Sequence, residues 1–520
     1  MRKSLIPTTT LCVLLCVLPI APVTENRSNF AIIDPDDSIG DIISKAANIT
    51  PLPRQYDWQR LEFTAFTHFT INTFTDKEWG DGTEDPALFN PTDFDARQWI
   101  EAIKNAGMKQ VIMTCKHHDG FCLWPSKLTD HSVKSSPWRN GRGDVVGEVA
   151  EACREAGLKF GVYLSPWDRH ERTYGDSPVY NEFFKNQLRE LLTWYGSIAE
   201  VWFDGACGEG PNGKRQVYDW QGYYSVIREL QPEAVIAIMG PDVRWVGTES
   251  GYGRETEWSI VPVDIADTER TAAASQKKDI GQAFVPKDLM EKDLGSREKI
   301  ADASMLVWYP SEVDVSIRPG WFYHRDQDDK VKSPEKLVDI FFSSVGRNSL
   351  LLLNIPPDTR GRIHENDIES LRGMRRILDE TFGTNFAAGA KGTASSALNG
   401  HAPSLVTDDT PDTYWMAEGN TAPVTLELDL GGIKKFDVVM LMENILTGQR
   451  VERFIVKAHT GGAWKEITGG TTIGYKRLLR FPEVTADKVR IRITESRAVP
   501  TLSSFGLYDC PIEFSTPDEH

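Results

Sequence analysis

Residues 95–119, DARQWIEAIKNAGMKQVIMTCKHHD, contain the unit from which the fold can be predicted. The stretch from Asp95 to Ala106 predicts a helix that Gly107 ends, because glycine is common just past the last helical turn. The run Gln110-Val111-Ile112-Met113 that follows has the pattern of a buried parallel strand. A polar group comes after it: His117, His118 and Asp119. The unit therefore consists of a helix, a buried strand and a polar strand end.

The same alternation of short apolar runs and helical stretches extends from about residue 60 to about residue 355. Eight runs have the character of strands: Phe63–Phe66, Gln110–Met113, Phe160–Leu164, Glu200–Phe203, Val235–Ile238, Arg244–Val246, Met305–Trp308 and Leu350–Leu353. Further helices are predicted at Val145–Ala156 and Asn181–Tyr195. Repeated strand–helix alternation predicts an α/β fold, a (β/α)8 barrel of the TIM type. We expect an irregular second half, since the fifth and sixth strands are too close in sequence for a full helix between them.

A different pattern begins at about residue 385, where helical periodicity gives way to short alternating strands. They are Val424–Leu430, Phe436–Met440, Phe454–Ala458 and Lys488–Ile493. Strands of this kind separated by glycine turns predict an antiparallel β-sandwich of the jelly-roll type. The predicted organisation is a signal segment at 1–23, a barrel at 50–380 and a sandwich at 386–512, with the helix Glu365–Thr381 joining the two domains.

The first residues have the features of an export signal. Arg2 and Lys3 give a positive start, and the apolar stretch Leu11–Ala21 is too short to anchor in a bilayer. We therefore expect an exported protein, periplasmic or extracellular, without a membrane span. Cys16 leaves a lipid anchor as the alternative, which Leu15 disfavours because such signals have a small residue at that position.

Composition excludes several classes of protein. The formal net charge of −17 disfavours nucleic acid and anionic membranes as partners. The seven cysteines contain no CxxC pair and leave an odd number outside the signal, so neither a thiolate zinc site nor a disulfide framework is predicted. The 15 tryptophans suit either large cores or the stacking of indole rings on sugars.

Polar and aromatic side chains follow the predicted barrel strands. Among them are His68, His117, His118, Trp167, Asp204, Glu249 and Glu312. Because a barrel brings the C-terminal ends of all its strands to one face, these side chains are expected to converge on one pocket. Polar strand ends occur in any soluble barrel, but they do not readily explain a set made of histidine, tryptophan and carboxylates.

Two carboxylates stand out within this set. Asp204 ends an apolar strand in a glycine turn, where a fixed nucleophile would lie; the alternative is a cap on the next helix. Glu249 has glycines close on both sides; the alternative is a surface acid. Two acids flanking a glycosidic bond perform retaining hydrolysis when their carboxyl groups are about 5–5.5 Å apart. His117 and His118 are predicted to bind sugar hydroxyls rather than one metal ion, because neighbours on a strand point to opposite faces unless the strand has ended. The alternative is that one of the pair is a structural histidine.

Several short stretches follow one another in a specific order: His68-Phe69, Asn72-Thr73-Phe74, Glu78-Trp79-Gly80, Lys116–Phe121, Tyr163–Asp168, Trp202–Gly205, Arg244–Gly247 and Glu312–Trp321. Together they resemble glycoside hydrolase family 29, the α-L-fucosidases, over roughly residues 55–375. The resemblance implies a retaining enzyme that acts on fucosylated oligosaccharides or glycoconjugates. The pattern Asn72-Thr73-Phe74 with Arg318-Pro319-Gly320-Trp321 is similar to the subgroup that cleaves α-1,3 and α-1,4 fucosyl linkages in branched, Lewis-type glycans.

The resemblance also implies roles for individual residues. Asp204 would be the nucleophile and Glu249 the acid/base, with Glu255 and Glu257 as the alternatives for the second role. Fucose would be bound by a further set: His68, Glu78, Trp79, His117, His118, Trp167, Glu312 and Trp321. Trp321 or Trp79 would pack against the C6 methyl group. No metal or organic cofactor is implied for catalysis.

The C-terminal region resembles a discoidin-like domain of the coagulation factor 5/8 type C kind, as in family 32 carbohydrate-binding modules. The matching residues are Ala394-Ser395-Ser396, Ala402, Val406–Trp415 and Leu428–Gly431. Such domains often hold a structural Ca2+, which here would lie near Asp409 and Asp412; an Asx turn is the alternative. Glycan binding and structural support are both open as roles for this domain.

Three other functions remain open at this stage. An α-L-galactosidase would need more room around Trp79 and Trp321, since its sugar differs from fucose only at C6. A glycan-binding protein that has lost its chemistry is disfavoured by Asp204 and both neighbouring histidines. A surface adhesin in which the sandwich does the main work would bind glycans without turnover.

Overall fold

The computed structural model describes residues 28–266, 291–410, 412–419 and 422–512. The predicted signal segment, including Cys16, lies outside these ranges. Within the described residues no helix is long and apolar enough to cross a membrane.

The first domain is a nearly closed barrel of eight parallel strands. In chain order they are Phe63–Thr67, Gln110–Lys116, Lys159–Leu164, Glu200–Phe203, Val235–Ile238, Arg244–Trp245, Ser311–Ser316 and Ser349–Asn354. Each strand pairs with the next, and the eighth pairs with the first. The fifth and sixth strands meet through a single parallel bridge between Ala237 and Val243. The predicted (β/α)8 fold is confirmed, including its irregularity at this point.

The helices surround the barrel. Their bounds are Ile39–Ala47, Pro53–Gln59, Asn72–Thr75, Ala96–Asn105, Val145–Ala156, Ser177–Trp194, Trp220–Leu230, Arg297–Ala301, Pro334–Ser344 and Glu365–Phe382. Local signals explain the boundaries that the sequence predicts. Asp144 accepts a hydrogen bond from the Gly147 N–H at the start of one helix, and Gly157 ends that helix in the left-handed conformation at φ 73°.

The prediction of the seventh strand is wrong. Met305–Trp308 pairs antiparallel with Phe30–Ile32 and Ile260–Pro262 in a separate three-stranded sheet. The seventh barrel strand is instead Ser311–Ser316. Its sequence, SEVDVS, contains two acids and so has the polarity that is typical of a loop. Both acids are buried and accept from indole N–H groups.

These two hydrogen bonds explain how the barrel holds acids in its interior. Glu312 accepts from the Trp202 indole N–H and Asp314 from the Trp245 indole N–H, each over 2.8 Å. A buried carboxyl group is tolerated when it is hydrogen-bonded, so the strand needs no apolar side chain at these positions.

The second domain is an antiparallel β-sandwich around its own core. Its six-stranded sheet contains Lys391–Ala394, Val424–Met442, Val451–Thr460, Ala463–Gly470, Arg477–Ser496 and Ser504–Tyr508, and a two-stranded sheet pairs Trp415–Met416 with Thr501–Leu502. The two longest strands pair with each other along most of their length, interrupted by bulges. The strand Val424–Met442 contributes side chains to this core from both sides of its first bulge, for example Leu426 before it and Phe436 after it.

The sandwich contacts the barrel where the barrel strands begin. Glu62, directly before the first strand, forms an ion pair with Lys476 over 2.6 Å. Asn348, directly before the eighth strand, accepts from the Tyr475 backbone N–H over 2.7 Å. The second domain therefore lies at the end of the barrel opposite the C-terminal strand ends.

Candidate active site

Three histidines meet at the C-terminal end of the barrel. The second strand ends at Lys116, so the pleat no longer separates His117 from His118, and their ring centroids lie 4.1 Å apart. The ring of His68, which follows the first strand, lies 5.8 Å from that of His117. The expectation that neighbouring histidines point to opposite faces does not apply, because the strand has already ended.

These imidazoles are neutral. Burial lowers the pKa of His68 to about 3 and also lowers the pKa values of His117 and His118. His68 Nδ1 lies 2.9 Å from the amide oxygen of Asn354. Because that oxygen only accepts, Nδ1 carries the proton and Nε2 remains an acceptor.

The tautomer of His118 follows from the same argument. Its Nδ1 lies 2.7 Å from the Ser165 hydroxyl oxygen, whose own proton is donated to the Trp167 carbonyl over 2.8 Å. Nδ1 of His118 must therefore be the donor, and Nε2, which faces Asp204, is an acceptor. The site thus presents imidazole acceptors suited to donating hydroxyl groups.

Asp204 is fixed beside these rings. It follows the fourth strand, and its Oδ1 accepts from the Ala206 backbone N–H over 2.5 Å. Its Oδ2 accepts from the Tyr163 hydroxyl over 3.3 Å and lies 3.9 Å from Nε2 of His118. The side chain is 23% exposed, so it is held and still accessible. The helix-cap alternative is wrong, because the next helix begins at Trp220 and is capped by Asp219.

Indole rings form the walls around the histidines. The ring of Trp79 lies 5.2 Å from that of His118 and 5.6 Å from that of Trp167. On the other side, the ring of Trp321 lies 5.1 Å from that of His68. Trp79 is 50% exposed, unlike the histidines, and so forms part of the rim.

Glu249 lies at the mouth of this pocket. It is exposed, and its Oε2 accepts from the Trp321 indole N–H over 3.1 Å. A third acid in this part of the barrel is the buried Asp314. Burial raises the pKa of Asp314 well above its ordinary value, and the nearby Glu249 and Asp204 carboxylates raise it further. The charges of both predicted catalytic acids therefore act on Asp314.

The two alternatives for the acid/base lie elsewhere. Glu257 is buried and paired with Arg244, the first residue of the sixth strand, and with Arg254 over 3.2 Å. The carbonyl of Glu255 accepts from Arg477 of the sandwich over 2.6 Å. Both glutamates thus belong to the opposite end of the barrel, where the domains meet.

Glu78 binds two backbone N–H groups of another loop. Its Oε2 accepts from the Trp321 N–H over 3.0 Å, and its Oε1 accepts from the Phe322 N–H over 3.2 Å. Oε1 also lies 2.7 Å from Nε2 of His324. Since a carboxylate has about four acceptor positions, one remains for a ligand hydroxyl.

Glu312 does not reach the pocket. It lies at the second position of the seventh strand, fully buried in the barrel interior, and not after a strand as the sequence suggested. Burial and the neighbouring Glu200 raise its pKa well above the ordinary value. Its contacts are structural, because the side chain faces Trp202 and Glu200 rather than the mouth.

The calcium site near Asp409 and Asp412 stays a prediction. Asp408 uses both carboxylate oxygens within its own turn, accepting from the Thr410 N–H over 2.9 Å and the Thr413 hydroxyl over 2.8 Å. Apart from the undescribed segments, no group of three or more His, Cys, Asp or Glu side chains is placed to hold a metal. The contacts of Asp408 are those of an Asx turn.

Three residues at the site had no assigned role in the sequence analysis: Tyr163, Asn354 and His324. Tyr163 lies within a quoted stretch, and Asn354 ends the eighth strand, so position alone pointed to both. Asn354 joins two walls, since its amide donates to the Trp321 carbonyl over 2.8 Å while its oxygen binds His68. His324 follows Trp321 by three residues and had no signal of its own.

A family model for α-L-fucosidases matches residues 54–381, which carry all of these side chains. The chain belongs to the α-L-fucosidase family. Residues 391–504 match the F5/8 type C domain. The resemblance to glycoside hydrolase family 29 and to the discoidin-like domain is thus confirmed, and as an α-L-fucosidase the enzyme is a glycoside hydrolase of fucosylated glycans.

Relatives of this α-L-fucosidase span both domains. It is 43% identical over 473 residues to "Alpha-L-fucosidase 1" of Arabidopsis thaliana, covering 88% of each chain. A candidate α-L-fucosidase from Bacteroides ovatus has a solved structure with 50% identity and a TM-score of 0.83, covering 95% of this chain and 80% of that one. The Ruminococcus gnavus family 29 fucosidase, solved in complex with fucose, has 32% identity and a TM-score of 0.78 over 89% of this chain and 95% of its own.

Proposed function

We propose that this α-L-fucosidase releases terminal α-1,3- or α-1,4-linked fucose from branched, Lewis-type glycans with net retention, through a covalent intermediate on Asp204. The observation that carries the mechanism is the setting of Asp204. Its two oxygens accept from Ala206 and Tyr163, its neighbour His118 is neutral, and it is accessible from the pocket.

In the first step, the Asp204 carboxylate attacks the anomeric carbon of fucose. The bond from that carbon to the glycosidic oxygen breaks, and Glu249 donates a proton to the departing oxygen. In the second step, Glu249 takes a proton from a water molecule whose oxygen attacks the same carbon and releases Asp204. Two inversions at one carbon give net retention.

Fucose recognition would divide between hydroxyl acceptors and an apolar contact. The neutral rings of His68, His117 and His118 offer nitrogen lone pairs to ring hydroxyls, and Glu78 offers carboxylate oxygens. Nδ1 of His117 is buried and has no partner among the described residues, which suits a bound hydroxyl group. A tryptophan of the wall, Trp321 or Trp79, would pack on the C6 methyl group.

The linkage and the location rest on sequence features. The α-1,3/1,4 specificity rests on the similarity of Asn72-Thr73-Phe74 and Arg318-Pro319-Gly320-Trp321 to that subgroup. Export to the periplasm or the outside of the cell rests on the signal-like residues 1–23. Both belong to the proposal.

The first experiment compares a Lewis-type trisaccharide with its unbranched 2'-fucosylated counterpart, for the wild type and Asp204→Ala. We expect release of fucose from the branched glycan alone, lost in the variant by several orders of magnitude. Equal release from both glycans would leave the fucosidase activity and overturn the linkage. No release from either, with glycan binding intact, would favour a binding protein.

A second measurement separates the two acids. With an activated aryl fucoside and added azide, Asp204→Ala should form the β-fucosyl azide, because azide attacks the substrate directly and inverts it. Glu249→Ala should form the α-fucosyl azide, because azide then attacks the intermediate on Asp204. The opposite pairing of variant and product would reverse the two roles.

A further inference from the structure

His324 lies between two carboxylates. Its Nδ1 is 2.6 Å from Oδ1 of Asp76, and its Nε2 is 2.7 Å from Oε1 of Glu78. Ionised carboxylates only accept hydrogen bonds, so both ring nitrogens must carry protons for both contacts to form. His324 is therefore an imidazolium ion in this arrangement, which we call the Asp76–His324–Glu78 clasp.

The clasp joins two loops of the pocket. Asp76 and Glu78 belong to the loop after the first barrel strand, which also carries Trp79. His324 belongs to the loop after the seventh strand, which carries Trp321. The two loops thus bring one tryptophan each to the pocket, and the clasp ties them together by charge-assisted hydrogen bonds.

Through Trp321 the clasp also reaches Glu249. Glu78 accepts from the Trp321 backbone N–H over 3.0 Å, and the Trp321 indole N–H donates to Glu249 over 3.1 Å. A continuous set of contacts therefore runs from the exposed Asp76 to the mouth of the pocket. Displacement of Glu78 would move a carboxylate that we predict to bind fucose. It would also move Trp321, whose indole contacts Glu249.

Gly320 lies against both the carboxylate and the ring of the clasp. A Cβ atom added at Gly320 would lie 2.4 Å from Oε1 of Glu78 and 3.1 Å from Cδ2 of His324. A side chain at Gly320 would therefore press on the Glu78 carboxylate and on the ring of His324. Its own carbonyl accepts from the Ser316 hydroxyl over 2.7 Å, which fixes the start of the loop.

We propose that His324 is a positioning residue whose charged ring holds Glu78 and Trp321 in the arrangement that binds fucose, so that fucose affinity depends on the protonation of His324. This inference rests on the proposed pocket. It adds a residue that does not touch the sugar and a dependence on pH that the pocket histidines cannot supply, since they are neutral.

The direction of the pH dependence follows from the charges that face the ring, which are those of Asp76 and Glu78. Burial opposes the charged form, but these two carboxylates outweigh it and raise the pKa of His324 above its ordinary value. A group with a raised pKa keeps its contribution at low pH and loses it as the pH rises through that pKa. Fucose affinity should therefore fall on the alkaline side.

The test is the dissociation constant of fucose by isothermal titration calorimetry across the neutral and alkaline range. His324→Gln should bind fucose roughly tenfold more weakly near pH 6 and show no further alkaline loss. Asp76→Asn, at a side chain 80% exposed and outside the pocket, should match the wild type at low pH. It should lose affinity at a lower pH than the wild type, because one of the two carboxylates that raise the pKa of His324 is gone.

The matched control is His459→Gln in the second domain, where Nδ1 of His459 lies 2.7 Å from Asp487. Its fucose affinity should equal that of the wild type at every pH. Unchanged affinity in His324→Gln would overturn the proposal. So would an Asp76→Asn curve that superimposes on the wild type or lies below it equally at all pH values, because a merely structural role gives that result. A wild type that binds no fucose would overturn the proposed pocket as well, which distinguishes the two failures.

Discussion

The Tyr163 hydroxyl donates to Oδ2 of Asp204 over 3.3 Å, from inside the barrel. Burial raises the pKa of Tyr163 well above its ordinary value, so the phenol keeps its proton throughout the working pH range. It is a permanent donor to the carboxylate that we propose as nucleophile, and it helps to hold one rotamer of Asp204.

Tyr163→Phe removes only this hydroxyl group. We expect kcat to fall about tenfold to a hundredfold, because Asp204 loses one of its two positioning hydrogen bonds, while the fold is retained. Steady-state kinetics with an aryl fucoside measure the effect. Tyr252→Phe is the matched control, since Tyr252 donates to Asp339 over 2.7 Å away from the pocket. An equal loss in both variants would mean that the effect is general destabilisation.

Trp321→Phe keeps an aromatic ring and removes the N–H group that contacts Glu249. We expect kcat/KM on a fucosylated trisaccharide to fall about tenfold more than kcat/KM on an activated aryl fucoside, because only the sugar leaving group depends on proton donation. Trp79→Phe should affect the two substrates equally. If Trp321→Phe also affected them equally, the contact with Glu249 would have no role in proton transfer.

The barrel interior contains a second pH-dependent element, the buried pair Glu200 and Glu312. Burial raises the pKa of Glu200 to about 7 from an ordinary value of 4.5. Stability from a raised pKa is complete at low pH and is lost as the pH rises towards the folded-state value. Between about pH 4.5 and pH 7 the wild type should therefore lose stability as this pair titrates.

Glu200→Gln should reduce that slope, because the amide keeps an oxygen acceptor for Gln110 and Trp58 and cannot ionise, while Glu312 and Asp314 still contribute. Urea unfolding at a series of pH values measures it. Glu101→Gln, on the exposed face of the helix Ala96–Asn105, should retain the wild-type slope. A slope equal to that of the wild type in Glu200→Gln would show that Glu200 does not titrate in this range.

Periodicity and caps were sufficient to predict seven of the eight barrel strands and the bounds of helix Val145–Ala156. The seventh strand was missed because its acids are satisfied by Trp202 and Trp245, which lie on other strands and are distant in sequence. The same cause explains the error at Glu312. The sequence places it after the strand Met305–Trp308, whereas it lies within the barrel strand Ser311–Ser316.

At the site, the order of strand ends was sufficient to bring His68, His117, His118 and Asp204 together. It could not supply protonation states, because these depend on single hydrogen bonds such as that of His118 to Ser165. The order of strand ends could not predict the role of His324 either, since Asp76 and Glu78, which it contacts, are about 250 residues away along the chain.

The ion pair between Glu62 and Lys476 places the sandwich at the base of the barrel, at the end opposite the pocket in which a fucosylated glycan would bind. The rest of a glycan whose fucose enters the pocket leaves on the side away from the second domain. Among the described residues the barrel loops surround the mouth of the pocket, so we expect these loops to make the selection between branches that we propose. Changes to the sandwich should therefore leave the choice of the bond that is cut unaltered.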